Sequence, residues 1–220
     1  MKIIETDGIE LYYGNTTILN NIYFKAERGL VTGILGSNGC GKTSLLKIIY
    51  GSLQPKYKSI RVNSKRISKP LYLTGKIKYL PQFYLLPNSI KLLVAFDLYG
   101  SSFSDFTNIF DSYKKYKTSR VKELSGGERR LAETYLILKS PSKIVLLDEP
   151  FSHISLLYIE EIKKIIRYES QKKIIIITDH LYKHIVDISN DLYLIKDGFA
   201  KKINKLDELE FYKYANINNF

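Results

Sequence analysis

A glycine-rich segment, residues 36–43, constrains the fold of this chain more than any other feature. It reads Gly36, Ser37, Asn38, Gly39, Cys40, Gly41, Lys42 and Thr43. The segment follows the apolar run 30–35 and precedes Leu45, Leu46, Ile48 and Ile49, which recur at helical spacing. A strand, this loop and a helix in that order match the phosphate-binding loop. The alternative, a turn that serves packing alone, does not explain a match at every position.

The residue types in this loop suit a triphosphate and a metal ion. Glycines let successive backbone N–H groups point inward at phosphate oxygens, and the start of the helix adds its positive dipole end. We expect Lys42 to place its charge near the β and γ phosphates. We expect the hydroxyl of Thr43 to bind Mg²⁺.

Two acidic residues follow a second apolar strand, residues 144–147. Asp148 and Glu149 come at its carboxyl end, where ligands bind in open α/β sheets. We expect Asp148 to hold Mg²⁺, directly or through water. We expect Glu149 to act as the general base on the attacking water, a role worth about 10²- to 10⁴-fold in rate. Ordinary solvated loop charge is the alternative for such a pair.

The rest of the chain indicates one α/β domain, residues 1–220. Short strands separated by turns occupy the start to about residue 28, and strands return between 59 and 80. A helical pattern over 88–116 predicts an inserted helical subdomain at about 83–125. Further elements are a helix at 126–139, a helix near 156–168, a strand at 174–178, and a last helix from about 206 before the polar tail 216–219.

Composition limits the setting of the chain. No apolar run approaches the about 20 residues needed to cross a bilayer, and acidic residues interrupt the start, so we expect a cytoplasmic protein. The formal charge of +12 favours binding of phosphates, anionic lipid or an acidic partner. The alternative is that a bias towards A/T-rich codons, which encode lysine, raised the charge without a function. The basic residues are spread along the chain without an aromatic-basic motif, so no nucleic acid is expected as a partner.

A third motif reads Leu124, Ser125, Gly126, Gly127 and Glu128. Small residues at a helix start expose unpaired backbone N–H groups and a hydroxyl, which makes a second anion site. With this motif the chain, from about residue 3 to 200, resembles the nucleotide-binding subunits of ATP-binding-cassette (ABC) transporters. The three motifs occur in the order typical of that family.

The resemblance implies a fold and a function. The fold is a P-loop NTPase core with a mostly parallel sheet, an N-terminal antiparallel β subdomain and an inserted α-helical subdomain. The function is Mg²⁺-dependent ATP hydrolysis that powers transport, with two cassettes, identical or different, facing head to tail around ATP. Separate transmembrane permease subunits would hold the chain at the inner face of the membrane. The alternative is a soluble ABC-type ATPase that serves iron-sulfur assembly, translation or DNA maintenance.

The resemblance also implies roles for single residues. Tyr13 matches the aromatic residue that stacks on adenine, with Tyr12 as the neighbouring candidate. Gln82 matches the glutamine that contacts Mg²⁺ and the attacking water, and His180 matches the histidine that contacts the γ-phosphate. Ser125, Gly126 and Gly127 would contact the nucleotide held by the partner cassette.

Two positions remain open. Ser155 stands where the family usually has an aspartate that communicates with the opposite subunit, which favours a different partner cassette. Cys40 lies inside the phosphate loop, and a helix N-terminus can lower the pKa of a thiol. The hypothesis is that alkylation of Cys40 blocks ATP binding. The alternative is a small, tolerated loop residue.

Overall fold

The computed structural model describes residues 1–212 and 214, and this part of the chain contains ten strands and seven α-helices. The strands are β1 Ile3–Tyr13, β2 Thr16–Glu27, β3 Val31–Leu35, β4 Tyr57–Val62, β5 Lys65–Arg66, β6 Ile77–Leu80, β7 Ile144–Asp148, β8 Ile174–Thr178, β9 Asp191–Lys196 and β10 Phe199–Ile203. The helices are α1 Lys42–Tyr50, α2 Leu92–Leu98, α3 Phe103–Ile109, α4 Gly126–Lys139, α5 Leu156–Ser170, α6 Tyr182–Ile188 and α7 Asp207–Phe211.

A six-stranded sheet forms the centre, in the order β10-β9-β3-β8-β7-β6. All neighbouring pairs are parallel except β9 and β10, which form an antiparallel hairpin at one edge. Because β3, β6, β7 and β8 run in the same direction, their carboxyl ends all lie at the same end of the sheet. The phosphate loop, the acidic pair, Gln82 and His180 all follow these four strand ends.

The central strands are buried on both faces because alternate side chains enter two different cores. In β7, Ile144 and Leu146 belong to a core shared with α1 and the N-terminal sheet. Val145 and Leu147 belong to a second core, shared with α4, α5 and the helical segment. A strand that is covered on both faces has a continuous run of apolar residues. Such runs allowed β3, β7 and β8 to be predicted as strands from the sequence.

The N-terminal part forms a separate antiparallel sheet, in the order β2-β1-β4-β5. The sequence predicted several short strands in this part of the chain. The structure instead has two long strands, of 11 and 12 residues, joined by a turn at Gly14. Irregular pairing interrupts their register, as between Thr6 and Ile9. One face of this sheet covers the central sheet beside α1, and thereby places Tyr13 near the phosphate loop.

The predicted helical segment is broken into shorter pieces. Helix α2 ends before Gly100, which has a φ of 65°, and Ser102 caps α3 by accepting a hydrogen bond from the N–H of Asp105. Two 3-10 turns follow, Asp111–Tyr116 and Val121–Glu123. An aromatic cluster centred on Phe106 packs these pieces onto α4. The helical insertion expected from the sequence is thus present, while its limits at about 83 and 125 stay a prediction.

Residues 182–203 hold the elements that the sequence analysis did not identify, namely α6 and the β9–β10 hairpin. The last helix, α7, begins at Asp207, one residue from the predicted start. The predicted polar tail, 216–219, lies outside the described residues. Within residues 1–212 and 214, no helix combines the length and the apolar character that a membrane span requires.

Candidate functional site

The phosphate loop closes tightly between β3 and α1. Gly36, Gly39 and Gly41 all have positive φ angles, of 152°, 81° and 106°. A Cβ atom on Gly36 would lie 2.6 Å from the carbonyl oxygen of Ile195 and 2.4 Å from the Sγ of Cys40. Glycine is therefore required there, because a side chain would push the loop off the neighbouring strand β9.

Lys42 is buried, and its ammonium group lies within the curve of the loop. Its Nζ donates hydrogen bonds to the carbonyl oxygens of Gly36, at 2.7 Å, and Ser37, at 3.0 Å. The position is fixed by its place in the first turn of α1. A full positive charge thus lies beside the backbone N–H groups that open the helix, which is an arrangement suited to binding phosphate.

A cavity of about 500 Å³ adjoins the loop. The residues that line it are Tyr13, Ile18, Asn38, Gly39, Gly41, Lys42, Thr43, Ser44, Gln82 and Glu149. Its volume lies in the range of small-molecule sites, about 300–1,000 Å³. Tyr13 lines this cavity, whereas Tyr12 lines a separate surface depression with Lys56. The geometry therefore favours Tyr13 over Tyr12 as the aromatic wall.

Asp148 is buried at the end of β7 and accepts two hydrogen bonds. The hydroxyl of Thr43 donates to Oδ1 at 3.1 Å, and the hydroxyl of Tyr79 donates to Oδ2 at 2.8 Å. Burial raises the pKa of the Asp148 carboxyl, and these hydrogen bonds oppose the shift. Burial and the nearby Asp148 raise the pKa of Tyr79, which therefore stays a neutral donor. Sequence analysis missed Tyr79.

Glu149 has a strained backbone, with a φ of 55°. Its N–H donates to the carbonyl oxygen of Thr178 at 2.7 Å, which ties it to β8. Its Oε2 lies 3.5 Å from the Nδ1 of His180 and 3.4 Å from the Oγ of Ser152. The structure thus brings His180 to Glu149, although 31 positions separate them in the sequence. Glu149 lines the cavity, whereas His180 is not among the lining residues.

Asp179 holds this part of the site in place and was not identified from the sequence. It is buried, and its two carboxylate oxygens accept hydrogen bonds from the N–H groups of Leu181 and Phe151. Its Oδ1 lies 3.3 Å from the Nδ1 of His180. Burial raises the pKa of Asp179, while these hydrogen bonds oppose the shift. The residue connects the loop after Glu149 to the loop after β8.

Ser125 begins α4 with reciprocal capping. The N–H of Glu128 donates to the Oγ of Ser125 at 3.3 Å, and the N–H of Ser125 donates to the Glu128 carboxylate at 2.8 Å. Ser125 and Gly126 are exposed. Ser125, Gly126 and Gly127 do not line the cavity that contains Lys42. Gly126 instead lines a neighbouring cavity, whose wall also includes Gln82 and Glu149. Within the described residues, the two predicted anion sites therefore belong to separate but adjoining cavities.

Gly127 touches the loop that follows Glu149. A Cβ atom on Gly127 would lie 2.1 Å from the carbonyl oxygen of His153, so the backbones are in direct contact. The same loop ends at Ser155, which precedes α5 and makes no side-chain capping hydrogen bond. The start of α4 and the loop after Glu149 therefore form one packed surface.

Cys40 is half-buried, and burial raises the pKa of its thiol. The nearby charge of Lys42 and backbone hydrogen bonds oppose this shift without reversing it. Desolvation of the thiolate thus outweighs the favourable charges at the start of the helix. That alkylation of Cys40 blocks ATP binding stays a hypothesis. The thiol is mainly protonated at neutral pH.

The sequence of this chain is similar to those of known proteins. The sequence model of the ABC transporter family matches residues 19–152. Two uncharacterized ABC transporter ATP-binding proteins of Methanocaldococcus jannaschii are similar. One is 31% identical over 213 residues, covering 90% of this chain and 84% of the relative. The other is 27% identical over 217 residues, covering 94% and 79%.

The fold has a close counterpart among solved structures. The structure of an ATP binding subunit of an ABC transporter superposes with a TM-score of 0.80, at 18% sequence identity. The match covers 99% of this chain and 97% of the other. The predicted α/β fold, with its mostly parallel sheet, antiparallel sheet and helical insertion, is confirmed.

Proposed function

Because this chain belongs to the ABC transporter family, we propose that it binds and hydrolyses ATP and thereby powers a transporter. The observation that carries the proposal is a cavity beside the phosphate loop. It brings Lys42 and Thr43, from one strand end, together with Gln82 and Glu149, from two others. A phosphate-binding cation, a hydroxyl, an amide and a carboxylate thus face one space.

The residues around Thr43 fit Mg²⁺. The hydroxyl of Thr43 and the carboxylate of Asp148 are oxygen ligands that lie 3.1 Å apart. The described residues contain no group of three or more His, Cys, Asp or Glu that could enclose a metal. This suits Mg²⁺, which is usually held by one or two protein oxygens together with phosphates and water. Bound there, it would neutralise charge on the β and γ phosphates.

The chain's own residues supply the remaining chemistry. Lys42 would offset the charge of the terminal phosphates, and Gln82, which also lines the cavity, would orient the attacking water. Glu149 would accept the proton of that water as it attacks. His180 lies beside Glu149 and would contact the γ-phosphate. Tyr13, half-exposed at the rim, would stack on the adenine.

We further propose that two cassettes act together. Ser125 and Gly126 are exposed at the start of a 14-residue helix, where the first N–H groups have no partner within the helix, so this helix start is accessible to a second molecule's nucleotide. Each subunit would bind ATP in its own loop and close it with the partner's Ser125, Gly126 and Gly127. Separate permease subunits would then hold the pair at the inner face of the membrane.

The test compares two variants with the wild-type protein. Glu149→Gln keeps the phosphate loop, so it should bind Mg-ATP with unchanged affinity and lose at least about 100-fold in turnover. With ATP present it should elute as a dimer in size-exclusion chromatography. Lys42→Ala should instead weaken nucleotide binding in a fluorescence titration. Full hydrolysis by Glu149→Gln would refute its role as the base.

A further inference from the structure

Arg130, in the second turn of α4, occupies the space between the ends of β6 and β7. The residue is buried, with an exposed fraction of 4%. Its Nη1 donates to the carbonyl oxygen of Pro81 at 2.6 Å. Its Nε and Nη2 donate to the carbonyl oxygen of Glu149, at 3.1 Å and 2.9 Å. Its Nη2 also donates to the carbonyl oxygen of Asp148.

These three carbonyl groups belong to the main chain of the proposed hydrolysis site. Pro81 immediately precedes Gln82, and Glu149 carries the proposed base. A guanidinium group is planar and presents its donors in a rigid fork, so it fixes the two strand ends relative to each other. Among the described residues, the backbone pairing of β6 with β7 ends at Leu80 and Leu147, one residue before Pro81 and Asp148.

The backbone of Glu149 needs such support. Glu149 has a φ of 55°. Such a conformation is strained at a residue other than glycine and persists only where surrounding contacts over-determine it. Glu149 has its N–H bonded to Thr178 and its carbonyl oxygen bonded to Arg130, so both sides of the strained residue are held. The charge of Arg130 is offset by the carboxylates of Glu133, Asp148, Asp179 and Glu149 around it.

We propose that Arg130 is a positioning residue for hydrolysis, which sets the main chain of Glu149 relative to that of Gln82. The inference rests on the proposed function, since it assigns Arg130 a role in the same reaction. Arg130 does not line the cavity that adjoins Lys42 and Thr43. Its loss should therefore change the rate of the chemical step and leave nucleotide binding intact.

The test replaces Arg130 and compares the variants with a matched control. Arg130→Met keeps the length of the side chain and removes every donor, and Arg130→Lys keeps the charge without the fork. Lys173→Met is the control, because Lys173 is also a buried cation that donates to main-chain carbonyl groups, those of Leu138 and Ser140. Lys173 immediately precedes β8, so it lies at the amino end of that strand, whereas the site lies at the carboxyl ends of the strands.

For Arg130→Met we expect kcat to fall by about 100-fold, because a displacement of the order of 1 Å at a reacting group has that effect. The KM and the Kd for Mg-ATP should change by less than about threefold. Arg130→Lys should retain an intermediate kcat, since an ammonium group reaches fewer carbonyl groups at once. Lys173→Met should lower the melting temperature and keep the wild-type kcat.

A wild-type kcat in folded Arg130→Met, at whatever melting temperature, would overturn the inference and leave Arg130 a purely structural residue. An equal loss of kcat in Lys173→Met would also overturn it, because instability would then explain both. If Arg130→Met does not fold, Arg130→Lys takes its place: a wild-type kcat in that variant would overturn the inference, and a reduced kcat would support it. A wild-type protein that binds no Mg-ATP, even with its partner cassette, would instead refute the proposed function.

Discussion

Replacing Gly127 by alanine tests the packing between the start of α4 and the loop after Glu149. The added Cβ would lie 2.1 Å from the carbonyl oxygen of His153. Carbon and oxygen atoms seldom approach closer than about 3.3 Å, so the two backbones would have to separate by about 1.2 Å. Such overpacking typically costs about 1–3 kcal/mol.

Gly126→Ala is the matched control for this change. Both glycines lie in the first turn of α4, where alanine is favoured over glycine by up to about 1 kcal/mol. At Gly126 the nearest atom to a new Cβ is the hydroxyl of exposed Tyr84, at 3.4 Å, which can move. The helix propensity gain is therefore shared by the two variants, while the steric cost applies to Gly127→Ala alone.

The assay is thermal unfolding of both variants without nucleotide. For a chain of this size 1 kcal/mol shifts the melting temperature by about 2–4 °C. We expect Gly127→Ala to melt below Gly126→Ala by about 4–8 °C, which corresponds to a difference of about 2 kcal/mol. Equal melting temperatures would show that the loop and the helix start move apart freely, and the reasoning from close contact would fail.

Two further predictions concern buried titratable groups. Burial raises the pKa of Asp148, so the folded state favours the neutral acid and its charge at pH 7 costs stability. Asp148→Asn should therefore raise the melting temperature without nucleotide and reduce the stabilisation by Mg-ATP; a lower melting temperature without nucleotide would contradict this sign. Burial also raises the pKa of Cys40, so alkylation at pH 7 should be slower than that of a free cysteine and accelerate with rising pH. Labelling as fast as that of glutathione would show that the thiol is accessible and ionised.

The sequence predicted the parts of the site that depend on consecutive residues. The phosphate loop, the acidic pair after β7 and the start of α4 each consist of neighbouring positions with a local backbone requirement. The β9–β10 hairpin was missed, although Asp197 and Gly198, with φ angles of 51° and 80°, form a dipeptide typical of such turns. That signal was present and could have been used.

Other residues carried no local signal. Tyr79, Arg130 and Asp179 are single polar residues, each of which bonds to at least one partner far away in the sequence. Each bonds to a group on another element, so its role exists only after the strands have been ordered. The choice between Tyr12 and Tyr13 is similar, because adjacent residues of a strand point to opposite faces and the packing of the sheet decides which face meets the loop.

The sequence by itself determined a loop of the phosphate-binding type, an apolar strand with Asp148 and Glu149 at its carboxyl end, and a helix start at Ser125. Short-range backbone geometry dictates these features wherever the segments lie. The tertiary structure alone decided that β7 lies between β6 and β8, which brings Glu149 to His180 and places Arg130 across the strand ends. The order of strands follows from how the two apolar cores pack on both faces of the sheet, and that is a property of the whole chain.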